Sequence, residues 1–93
     1  MYIFSVTAKA IRDTDDAKTG ETRPFIVYIN FTELFGAQSL VRAYLIRAGY
    51  SSIAFEDQKH LSNDQLSDHA KVAGNPMIVE ALREGYAVQL FDS

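Results

Sequence analysis

An α+β fold is expected of this chain: a two-layer sandwich in which helices cover one face of a four-stranded, mainly antiparallel or mixed sheet, in the order β-β-α-β-α-α-β. Three observations carry that expectation. Two stretches near the start alternate with period two, three later stretches repeat with helical spacing, and a glycine follows each helical stretch. A length of 93 residues with 47% apolar residues suits a single domain over residues 1–93.

The first strand comes from Tyr2, Phe4, Val6, Ala8 and Ala10, which point one way, while Ile3, Ser5, Thr7, Lys9 and Ile11 point the other. Residues 13–21 show no apolar period and read as a mobile loop. Pro24 opens the second strand, where a missing N–H does least harm. Phe25, Val27, Ile29 and Phe31 form its inward set, so the two strands make a long-looped antiparallel hairpin.

Leu34, Ala37, Leu40, Val41, Tyr44, Leu45 and Ala48 then trace one helical stripe. Thr32 is the expected N-cap and Gly49 the stop. A third strand is read over Ser52–Asp57, with Ile53 and Phe55 inward. Ser62-Asn63-Asp64-Gln65 is a capping box, flanked by Leu61 and Leu66 as a hydrophobic staple, and opens a helix ending at Gly74. Asn75-Pro76 starts another, with Met77, Ile78, Ala81 and Leu82 as its buried side. The last strand runs from Tyr86 to Phe91. The first strand is expected in the sheet interior, and both strand–helix–strand connections as right-handed crossovers.

Composition removes several classes of function. Nine basic and twelve acidic residues give a net charge of −3, with no segregated basic face, so no nucleic-acid partner is expected. Lys9, Arg12, Lys18 and Arg23 do gather on the first hairpin, but Asp13, Asp15, Asp16 and Glu21 interleave with them. The absence of cysteine excludes disulfides and thiol chemistry and points to a reducing, cytoplasmic setting. No export signal is read at the start of the chain, and no apolar run approaches the roughly 20 residues of a membrane span, so no membrane partner is expected.

Catalytic and metal-binding patterns are thin. His60 and His69 lie too far apart for one helical face, and the Asp13/Asp15/Asp16 cluster fails the calcium-loop pattern. That pattern needs glycine where Lys18 stands and glutamate where Pro24 stands. No metal site and no cofactor are therefore expected. Asp57, His60 and Ser62 are close in sequence, but the Ser62 hydroxyl is required as a helix cap. Glu80 and Glu84, one turn apart, read as a solvated pair, and the dispersed glycines make no phosphate cradle.

One feature remains. The alternation places Ile3, Ile11, Ile26, Tyr28 and Phe91 on the sheet face away from the helices, where a two-layer sandwich should be polar. The expected function is therefore a small non-catalytic protein-interaction module (accessory, regulatory or of the inhibitor or immunity type). It would use that outer face or a sheet edge to bind a protein partner or a second copy as a homodimer. The alternative is a small enzyme with a cleft near the C-terminal helical pair, using His60, His69, Asp64 and Glu80.

Overall fold

A computed structural model describes residues 1–91, apart from the side chains of His69 and Lys71. Its elements are β1 (Tyr2–Ala10), β2 (Thr22–Ile29), α1 (Leu34–Arg47), β3 (Tyr50–His60), α2 (Asn63–Leu66), α3 (His69–Ala73), α4 (Pro76–Glu84) and β4 (Tyr86–Leu90). The strands form one sheet in the order β3-β1-β2-β4, with every neighbouring pair antiparallel. The α+β class and the interior place of the first strand are as the sequence implies.

The pairing sets the directions. β2 and β3 both run against β1, so they are parallel to each other, and α1 joins them by crossing over β1. β4 runs against β2 and hence against β3, at the opposite edge. Only the first of the two strand–helix–strand connections therefore falls under the crossover-handedness rule, which concerns parallel strands.

The hairpin register puts Phe4 beside Val27 and Val6 beside Phe25. These residues, with Ile29, meet Ala37, Val41 and Leu45 of α1 in the main core. Phe4, Val6, Val27, Ile29, Val41 and Leu45 are fully buried, each contributing roughly 1.5–3 kcal/mol.

The helices divide between the two faces. While α1 covers the face of Phe4 and Val27, α4 lies on the other, where Ala81, Met77 and Ile78 pack with Tyr28, Ala87, Ile3 and Ile26. Met1, Leu61 and Leu66 complete this second, smaller core. The expectation of a single helical face thus holds for α1 alone. An apolar stripe shows that a helix has a buried side, but it does not say which side of the sheet receives it.

Four local differences have physical reasons. Glu33, not Thr32, caps α1, because its carboxylate accepts from the N–H groups of both Phe35 and Gly36. β3 extends beyond Ser52–Asp57 in both directions: Tyr50 is buried, and Gln58-Lys59-His60 is held by pairing with Phe4, Ile3 and Tyr2. That polar run carries no alternation to read. The helix expected after Ser62 is broken into α2 and α3. Its capping box is present, with Gln65 N–H donating to Ser62 Oγ (3.3 Å) and Ser62 N–H donating to Gln65 Oε1 (2.8 Å). Ser67 Oγ, however, donates to the Asn63 carbonyl (2.8 Å), and α2 buries no residue fully, so little packing holds a longer helix together.

The loop after β1, expected to be mobile, is tied down. Thr14 Oγ1 lies 2.8 Å from the Tyr50 hydroxyl and accepts the N–H groups of Asp16 and Ala17. Ala17 is thereby drawn into the main core.

Candidate interaction surface

The crossover from β2 to β3 holds α1 over β3, β1 and β2 and leaves β4 outside its cover. On that side the inner face of β4, carrying Tyr86 and Val88, meets the C-terminal half of α1 across an open groove of about 290 Å³. Phe25, Tyr44, Leu45, Ala48 and Tyr50 complete its apolar lining, and Asp16 and Arg47 are its charged residues. The rings of Tyr44 and Tyr86 stack at 4.0 Å between centroids with planes 14° apart, linking α1 to β4. Phe25 and Tyr50 meet edge to face at 5.0 Å. Such a groove suits apolar or aromatic side chains.

β4 itself is a sheet edge. Its five residues, Tyr-Ala-Val-Gln-Leu, contain no charge, proline or glycine. β3, at the other edge, carries Glu56, Asp57, Lys59 and His60, two register shifts against β1, and Ser52 at φ 52°. Charges and bulges of this kind blunt an edge against further pairing. β4 has neither.

The residues expected at an interface are not brought together. Tyr28 is only 8% exposed, and Ile3 and Ile26 are partly buried with it beneath α4. The outer apolar patch proposed from the sequence is therefore roofed by the chain's own helix, which corrects that reading for these three residues. Ile11 and Phe91 do remain open, at 52% and 53%. Ile11 is fastened to the α1–β3 turn by its N–H on the Gly49 carbonyl, and Phe91 to the start of β2 by its N–H on the Pro24 carbonyl.

The residues of the alternative cleft are also dispersed. The His60 ring tilts against Tyr2 at 4.8 Å on β3, while Glu80 lies with Arg83, Glu84 and Tyr86 beside β4. These are opposite edges of the sheet. Ser62 Oγ is taken as a cap, Asp57 Oδ1 accepts from Gln58 N–H, and the His69 side chain lies outside the described residues. Among the described residues, no three metal-ligating side chains form a group. Among the described residues, two groups with clearly shifted proton affinity lie outside the groove lining. Hydrogen bonds from the Thr19 N–H and hydroxyl, both 2.9 Å, hold the Asp13 carboxyl below the usual range, and burial lowers the Met1 amino group.

Sequence reasoning placed Phe25 in the inward set of the second strand and Tyr44 on the stripe of the first helix, and so missed the groove they form with Tyr86 and Val88. The available signal was three tyrosines, 44, 50 and 86, in or beside apolar stripes, since tyrosine combines an apolar ring with a polar tip. No protein-family model, curated protein or solved structure matches this chain. No helix among the described residues is long and apolar enough to cross a membrane.

Proposed function

We propose that this protein is a non-catalytic interaction module that takes a protein partner along the β4 edge. A strand of the partner adds to the sheet, and its alternate side chains enter the aromatic groove. The observation that supports this most directly is the contrast between the two edges: β3 is blunted by charge and bulges, whereas β4 is uncharged, regular and flanked by an open apolar groove. In strand addition, main-chain hydrogen bonds supply affinity, and pockets for alternate side chains supply selectivity. The absence of cysteine suits a reducing compartment such as the cytoplasm.

The test is panning of a displayed peptide library on the folded protein, with Val88→Pro as counter-target. Proline at an edge position whose N–H faces solvent removes a docking donor and spares the existing ladder. Peptides with alternating apolar residues that bind wild type and lose binding on V88P are expected. If no peptide discriminates the two proteins, and wild type shows no self-association, the reading fails.

A further inference from the structure

We infer that the strand added at β4 is the β4 of a second copy, paired antiparallel about Val88; this rests on the reading of β4 as the binding edge. The argument begins with the backbone. Asn30 N–H donates to the Gly85 carbonyl (2.9 Å) and Phe91 N–H to the Pro24 carbonyl (2.9 Å). An antiparallel ladder alternates, so residues 85, 87, 89 and 91 face β2, while Tyr86, Val88 and Leu90 turn their N–H and C=O groups outward.

An added antiparallel strand forms hydrogen bonds only where outward residues meet outward residues. Against its own copy, β4 has one register that uses all of them. Val88 meets Val88, and Tyr86 meets the second copy's Leu90 at each end, giving three pairs of two bonds each. A slip of two residues leaves one end unpaired. Any extended strand without proline presents the same backbone alternation, so the choice of a second copy rests on the side chains.

Side chains agree with the backbone. The outward residues are the ones whose side chains stand on the groove face, so every cross-strand pair there is apolar: valine with valine, tyrosine with leucine. On the other face Ala87 lies beside the second copy's Gln89. Nothing in Tyr86–Leu90 is charged, so two chains of net charge −3 meet without like charges in the seam. The two sheets become one, in the order β3-β1-β2-β4-β4-β2-β1-β3, with both blunted edges outermost.

A cysteine-free chain makes the test clean. Across an antiparallel hydrogen-bonded pair the Cα atoms stand about 5.5 Å apart, within the range a disulfide spans. Val88→Cys is therefore expected to oxidise to a covalent dimer at least about tenfold faster than Ala54→Cys on the exposed β3 edge. In sedimentation, wild type shows a monomer–dimer equilibrium, and V88P raises its dissociation constant at least about tenfold while its circular dichroism stays native. Should V88P fail to fold, the cysteine comparison decides alone. Equal oxidation of the two cysteine variants, with a wild type monomeric at all concentrations, overturns the self-pairing. If panned peptides then still bind in a V88P-sensitive way, the interaction-module reading stands without it; if they do not, both fall.

Discussion

Removal of the Tyr28 ring separates a roofed sheet face from an open one. Tyr28 is 8% exposed and packs in the second core with Ala81, Ala87, Leu61 and Met1. Truncation of a buried aromatic side chain to alanine costs about 3–5 kcal/mol, from lost transfer energy and the cavity left behind. The small residual exposure of Tyr28 and its place in the lesser core put Tyr28→Ala at the lower end, about 3 kcal/mol. A chain of this length has roughly 5–14 kcal/mol of stability in total, so the loss is a large share of it. With a urea dependence of about 1–1.5 kcal/mol/M, the unfolding midpoint should fall by about 2–3 M without a change of slope. Phe91→Ala, at a side chain 53% exposed, should stay within about 0.5 kcal/mol. Urea titrations followed by circular dichroism give both numbers. A Tyr28→Ala shift as small as that of Phe91→Ala would mean that α4 does not cover the sheet, and the second core would have to be abandoned.

Two further outcomes follow from particular hydrogen bonds. Asn75 Oδ1 accepts from Met77 N–H (3.0 Å) and Ile78 N–H (3.2 Å) at the start of α4, so Asn75→Ala should cost about 1 kcal/mol. In hydrogen exchange, the loss should be concentrated in α4 rather than α1; uniform loss would argue against a separately anchored helix. Asp13 has its pKa lowered by Thr19, so the folded state favours the ionised form. Its contribution is complete above the unfolded value of about 3.9 and is lost as pH falls through the lower native value. The stability gap between wild type and Asp13→Asn should therefore be constant near neutrality and close in acid, and urea midpoints with the same gap at all pH values would refute the role of that carboxylate.

The first strand and the caps of α2 and α4 were legible because each answers to a local rule. Alternation gave β1 its buried set, Phe4, Val6, Ala8 and Ala10, all of which lie in the main core. Asn75 and Gly85, at φ 93°, bracket α4 where the signals stood. The polar end of β3 had no such rule: Gln58, Lys59 and His60 are extended because β1 lies beside them, not because of their own spacing. The groove was hidden for a related reason. It exists because α1, in crossing from β2 to β3, stops short of β4, and that offset is a property of topology rather than of any one segment.

The second core left a mark in the sequence that a face-by-face reading of the hairpin passes over. Phe25-Ile26-Val27-Tyr28-Ile29 is an unbroken apolar run, and a strand with one face in water would interrupt it at every other position. Five such residues in succession ask for cover on both sides, which places β2 inside the sheet and calls for a helix on each face above it. The structure meets both demands: Phe25, Val27 and Ile29 lie in the core under α1, and Ile26 and Tyr28 in the core under α4. β1 differs in degree. Its second face is apolar only at Ile3 and turns polar at Ser5, Thr7 and Lys9, while on β2 the cover reaches Tyr28 and Ile26, opposite Ile3 and Ser5. The apolar residues on that face therefore record the footprint of α4. The groove face of β4 lies outside that footprint, beside the strand edge that carries neither charge nor bulge.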